Sequence, residues 1–408
     1  GRRGAAMTDS PPEFDPYSAT FFEDPWDLYR RLRDEAPVYH HRQLGFFALS
    51  RYDDCVAAHR DHATFASTRG VTLDQLRSAA FGSAVRHVGS IIMMDPPEHD
   101  RMRALVNRAF TPRRIAEWEP VVRRVVAERL DELGGAEAFD VVDDLAGPVP
   151  IEIVSEILGV PASDRQQIRG WADAMLAREI GNPFPPAAGI EAAAALFGYV
   201  AEFVADRRRT PGDAMVDHLL AAQVERPGGA VERLDDAEVT QFVALLAAAG
   251  AETVTKLVAN AVITFDEHPD QLAVVRADPS LWPDAVEEVL RWRAPSQYQG
   301  RFTLADATFH GRIIPAGSPV LLLTGAATRD PRAYVDPDRF DVRRRGPMPI
   351  SFGHGVHYCI GAHLARLEGR VALEELYGRF PRLAVERGGI RFVHMSNVAG
   401  PSSVPVTC

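Results

Sequence analysis

The stretch from Asp235 to about Glu267 limits what this chain can become. It is free of proline and interrupted only by Gly250. Asp235 followed three residues later by Glu238 forms a capping box, and His268-Pro269 stops the helical pattern. About thirty residues rising 1.5 Å each make a rod of roughly 45 Å, long enough to cross a whole domain. The rest of the chain must wrap round such a rod. Its centre reads Ala247-Ala248-Ala249-Gly250-Ala251-Glu252-Thr253. Small side chains leave space beside the helix, and an acid and a hydroxyl in an apolar span need a reason. One reason is local: Thr253 bonds its own i−4 carbonyl and Glu252 reaches solvent or an ion pair. The other is chemical, a polar pair facing that space.

A second motif lies nearer the C-terminus, Phe352-Gly-His-Gly355-Val-His357-Tyr-Cys359-Ile-Gly361, with Leu364-Ala365-Arg366 beyond it. Ile360, Leu364, Leu367 and Val371 follow a helical period, so Cys359 stands just ahead of a helix. Unpaired N–H groups and the positive end of the dipole favour a thiolate there. The glycines let the backbone turn tightly and approach something flat and bulky. On these residues alone Cys359 is a structural cysteine, a nucleophile or an axial ligand to haem iron.

Two further pairs and a single arginine stand between these motifs or ahead of them. His99 and Arg103 share one face of a helix expected to begin at Asp95 as N-cap, with prolines in its first turn. Alone they read equally as a solvated surface pair. Glu288 and Arg291, three apart, can pair along another helix. Arg301 opens a β-rich stretch covering 301–304, 308–310 and 320–324, with Ile313-Ile-Pro-Ala-Gly317 as a turn.

In this order and spacing, the motifs closely resemble those of the cytochrome P450 family across the whole chain. The resemblance implies a mainly α fold with small β-sheets (α+β), with haem buried between the long central helix and the Cys-loop helix. It implies haem b with Cys359 as axial thiolate, within a loop formed by Phe352, Gly355, His357 and Gly361. His99, Arg103, Arg301 and His357 become propionate donors. Gly250, Glu252 and Thr253 become the oxygen-binding groove and proton relay. Glu288 and Arg291 become a structural pair, with Arg339 expected as its third member. The activity implied is monooxygenation: one atom of O2 enters a hydrophobic small molecule, such as a terpenoid, steroid, fatty acid or polyketide. Electrons come from NAD(P)H through a separate ferredoxin and ferredoxin reductase. A peroxide-dependent peroxygenase would not need Glu252 and Thr253, and a haem sensor would not need the long lid loops. Arg108, Arg113, Arg114, Arg366 and Arg370 are candidates for a ferredoxin landing area, or simply a solvated face.

Position beside the motifs suggests Ile91, Ile92, Leu245, Ala248, Ala249, Gln297, Asn397 and Val398 as pocket residues, with Gln297 a polar contact. Residues 70–92 read as a long, partly mobile loop, and Gly181–Pro186 as a break between two lid helices. Val38–His41 and Phe46–Ser50 suggest a hairpin. Residues 1–16 read as a disordered lead, with 1–6 an expression remnant or alternative start, and 17–408 as one catalytic domain. The hydrophobic share of 46% and charged share of 25% are those of a globular protein. A net charge of −11 argues against a nucleic-acid surface. Cys55, Cys359 and Cys408 are too few for a disulfide framework. Cys55 reads as core and Cys408 as exposed. No run of some eighteen apolar residues is evident, so a cytoplasmic monomer without membrane contact is expected.

Overall fold

The computed structural model describes residues 12–80, 90–107, 110–182, 184–225, 229 and 231–408. Much of the expected loop at 70–92, and Arg108, lie outside these residues. The helices that position the site are α1 (Trp26–Glu35), α2 (Tyr52–Arg60), α3 (Leu73–Ala80), α4 (Glu98–Val106), α5 (Pro148–Leu158), α6 (Arg165–Leu176), α7 (Ala187–Arg209), α8 (Asp236–Glu267), α9 (Trp282–Trp292) and α10 (Ala362–Arg379).

The capping box of α8 forms in both directions. Glu238 N–H donates to the Asp235 carboxylate at 2.8 Å, and Asp235 N–H to the Glu238 carboxylate at 3.0 Å. Between Phe242 and Phe265 only Leu245, Ala249, Gly250 and Thr253 are not buried, and Ala249 is openly exposed. Residues 245, 249 and 253 lie one turn apart, so a rod buried on its other faces carries a single accessible stripe. Helices α5, α6, α7, α9 and α10 pack against it. The contact with α10 is close, since a Cβ on Gly369 would lie 2.9 Å from Leu257.

A five-stranded sheet flanks this helical mass: β1 (Val38–His41), β2 (Phe46–Leu49), β3 (Phe65–Ala66), β4 (Gln299–Thr303) and β5 (Pro319–Leu322), in the order β1-β2-β5-β4-β3. Only the β2–β5 pairing is parallel; Arg301 on β4 stands opposite Val320. The hairpin expected at 38–50 is thus present.

Several expectations are corrected. Asp95 does not cap α4, which starts at Glu98 behind Pro97; its carboxylate instead accepts N–H bonds from Ser67 and Thr68. The segment 70–92 contains helix α3. The last residues of the supposed lead are core, because Phe14 is fully buried against Phe21, Tyr39 and Phe46. Cys55 is buried as expected, whereas Cys408 is partly covered rather than exposed. Two helices, α7 and α8, do have the length and apolar composition of a membrane span. For α8 the cause is plain: 78% of its most apolar window is buried inside the fold.

Candidate active site

Two glycines shape the loop ahead of α10. Gly353 and Gly355 both have positive φ, 73° and 70°, which side chains disfavour. A Cβ on Gly355 would also meet the His59 carbonyl at 2.5 Å, so only glycine fits there. Cys359 N–H donates to the Phe352 carbonyl at 2.9 Å, closing the turn. Cys359 keeps accessible surface although protein closes round it on most sides. Burial pushes its thiol up, opposed by the Gly361 and Ala362 N–H groups and by Arg103 and Arg366. Metal coordination would reverse that balance, since a ligating thiol is deprotonated outright.

A bank of donors stands beside the loop. Arg103 donates to the Tyr358 carbonyl, next to Cys359, at 2.8 Å. The His99 and His357 rings lie 4.4 Å apart between centroids. His357 Nε2 is 3.1 Å from Ser67 Oγ. Burial, with Arg301 and His99 nearby, pushes His357 down to about 3, so it is neutral at physiological pH. Arg301 is fully enclosed; burial lowers it to about 10, still a cation at neutral pH. The structure therefore brings together all four sequence-expected donors. His99 Nδ1 meets the Asp100 carboxylate at 3.1 Å, and its buried Nε2 finds no partner among the described residues.

On α8 the Thr253 hydroxyl donates to the Ala249 carbonyl at 2.9 Å, the local reading of that residue. Glu252 reaches an ion pair, but a buried one: Lys256 Nζ lies 2.6 Å away, with both side chains at least nine-tenths covered. Half-buried Asp173 of α6 shares a hydrogen bond with Glu252. Burial raises Glu252 to about 7, and Asp173 adds to the rise while Lys256 opposes it. Lys256 and Asp173 were missed in the sequence. Lys256 was detectable as the i+4 neighbour of Glu252, whereas nothing local pointed to Asp173.

Glu288 and Arg291 do pair, and the arginine that joins them is not Arg339. Arg291 holds Glu288 with two bonds of 2.7 and 2.8 Å. Arg344 Nε joins the same carboxylate at 3.1 Å. Arg339 contributes only its backbone carbonyl to Arg291, while its guanidinium is exposed. The pocket candidates also divide. Leu245 and Ala249 lie on the accessible stripe and Ile92 is 38% exposed, but Ile91, Ala248 and Val398 are buried. Gln297 is no substrate contact: its amide accepts from Tyr29 OH at 2.8 Å and donates to the Ala294 carbonyl at 2.6 Å. Asn397 is likewise spent on the Tyr298 carbonyl. Among the proposed landing arginines, Arg366 pairs with Glu287 and Arg370 with Glu119, leaving Arg113 and Arg114 exposed around Glu117.

An accessible loop thiol beside Arg103 and the buried cation Arg301, with an unpartnered imidazole nitrogen among them, fits a flat, dianionic, metal-bearing macrocycle. That is the setting of a haem-thiolate enzyme. Residues 280–391 match the family model described as Cytochrome P450. Cytochrome P450 130 of Mycobacterium tuberculosis is 37% identical over 399 residues, covering 96% of this chain and 97% of the relative. Erythromycin C-12 hydroxylase of Saccharopolyspora erythraea is 40% identical over 386 residues, 93% of each chain. A mutant of P450 EryK in complex with erythromycin B superposes with TM-score 0.84 at 38% identity, covering 94% of this chain and 95% of that one. The chain belongs to the cytochrome P450 family. With membership come haem b on an axial cysteine thiolate, O2 as co-substrate and monooxygenase chemistry.

Proposed function

We propose that Cys359 is the axial thiolate and that this monooxygenase hydroxylates a macrolide-like or other polyketide-derived hydrophobic molecule. In that reaction a C–H bond, O2, two electrons and two protons become C–OH and water. The carrying observation is the accessible stripe of α8, Leu245-Ala249-Thr253, borne by the helix that packs against the Cys-loop helix. Named hydroxylases of the erythromycin series among the relatives support the substrate class.

Bound haem supplies the activation of O2 and its transfer to carbon. The chain's own residues do the rest. Cys359 would bind the metal, and Arg103, Arg366 and the N–H groups of Gly361 and Ala362 would stabilise its charge. His99, Arg103, Arg301 and His357 would hold the two propionates, which are costly to bury unpaired. Glu252, titrating near neutrality, can hold or give a proton at its carboxylate beside Lys256. Thr253, released from the Ala249 carbonyl, can turn its hydroxyl to the stripe and pass its own proton on as it takes that one, so that it stays neutral. Gly250 adds no bulk there: a Cβ would only reach ordinary contact with Val154. Glu288, Arg291 and Arg344 are structural.

Residues 17–408 form the catalytic domain in this reading, together with the packed residues 12–16. The enzyme is a cytoplasmic monomer that takes electrons from NAD(P)H through a ferredoxin and its reductase. Arg113 and Arg114 remain as the exposed landing cations. Two measurements test the proposal. The reduced carbon-monoxide complex shows the strongly red-shifted Soret band of thiolate ligation; a histidine-type spectrum refutes Cys359. Titration with macrolide aglycones, steroids and fatty acids gives a spin-state shift for the first group. A response only to the others refutes the substrate class.

A further inference from the structure

His59 closes α2 and belongs to none of the motifs above. It is buried, with 3% of its surface exposed, beneath the Cys loop: a Cβ on Gly353 would lie 3.9 Å from its Cε1. Its Nδ1 is 3.4 Å from Nη2 of Arg301. A guanidinium can only donate, so Nδ1 accepts and the ring proton sits on Nε2. Among the described residues that Nε2–H has no partner within hydrogen-bond distance. The groups facing it are Arg301, His354, His357 and Gln299. The Gln299 amide is committed to Thr324 and Ser296 at 2.6 and 2.7 Å. Arg301 is itself a buried donor, and its other recorded bond goes only to the adjoining Gly300 carbonyl. Among these neighbours the Gln299 carbonyl can accept; it already takes the Thr324 hydroxyl and also lies against the His59 ring, while the others bring donors. A buried donor is normally paired. An anion with several acceptor oxygens would pair the His59 Nε2–H and the buried Arg301 guanidinium together.

We propose that His59 binds a propionate carboxylate of the haem through its Nε2–H, as a donor additional to His99, Arg103, Arg301 and His357, while its Nδ1 steadies Arg301. The inference rests on the haem reading, which the carbon-monoxide band tests separately.

The experiment compares the holoenzyme with His59→Leu, similar in size but without a donor, and His59→Gln, which keeps one. Haem release is followed by transfer to excess apomyoglobin, and the propionate bending modes by resonance Raman spectroscopy. Losing one charge-assisted hydrogen bond should speed release about ten-fold in His59→Leu. The bending modes should move to lower frequency, and His59→Gln should restore most of both. A purely packing role would leave the Raman modes in place. If the thiolate-type carbon-monoxide band is intact and His59→Leu retains wild-type haem release and bending modes, the assignment is overturned. Should His59→Leu not accumulate with haem, His59→Asn, whose shorter side chain withdraws the donor, is read by the same two criteria.

Discussion

Lys256→Met removes the cation beside Glu252 and keeps the stem that packs on Gly400, where a Cβ would lie 2.9 Å from Lys256 Cβ. Two unit charges at 4 Å and an effective dielectric of 20 interact by about 4 kcal/mol. The 2.6 Å pair is therefore strong enough to move Glu252 by two pH units or more. Glu252 titrates near its ordinary value in the unfolded chain and at about 7 in the fold. Between those values the fold carries one proton more than the unfolded chain, and stability falls as pH rises. In the wild type this fall ends near pH 7. In the variant Glu252 stays protonated to higher pH, so the fall continues at about 1.4 kcal/mol per pH unit. At pH 7 the two proteins should differ modestly; at pH 9 the variant should have lost about 3 kcal/mol more. Urea unfolding of both holoenzymes at pH 6, 7, 8 and 9 reads this directly. Infrared spectra should show the protonated carboxyl band persisting to higher pH in the variant. Parallel stability curves, with that band vanishing at one common pH, would refute the coupling.

Other outcomes follow from single contacts. Arg344→Met should destabilise by about 3 kcal/mol, since it strips a partner from buried Glu288, whereas Arg339→Ala should cost under about 0.5 kcal/mol; unfolding midpoints separate the two. Thr253→Ala should retain haem and substrate spin shifts but divert electrons to peroxide, measured as hydrogen peroxide per NADPH consumed; fully coupled product formation would remove Thr253 from the relay. Tyr29→Phe should cost about 1 kcal/mol by leaving the Gln297 carbonyl unpaired, with no change in substrate affinity.

Much of this site was legible because its signals are local. The capping box of α8 and its stop at His268-Pro269 need only neighbouring residues, and both ends match the structure. The Cys loop reads from its glycines, because positive φ and backbone contact demand glycine wherever the loop sits. Glu288 and Arg291 are one helical turn apart, so their pairing is written in their spacing.

The errors lie where a side chain's partner comes from a distant part of the chain. Arg339 and Arg344 sit on the same irregular segment, and no periodicity there says which one turns inward. Only packing decides, and it sends Arg344 to Glu288 and Arg339 to solvent. Gln297 looked like a substrate contact because it stands near the motifs, yet its amide is used by Tyr29, 268 residues earlier. Glu252 shows the same limit in its chemistry. Its position on the helix was readable, but its proton affinity depends on burial and on Asp173, carried by a different helix. A carboxyl at position 252 alone would be an ordinary acid, ionised at neutral pH. Its place between α6 and α8 brings it to the point of giving or taking a proton, and no single-helix reading contains that information.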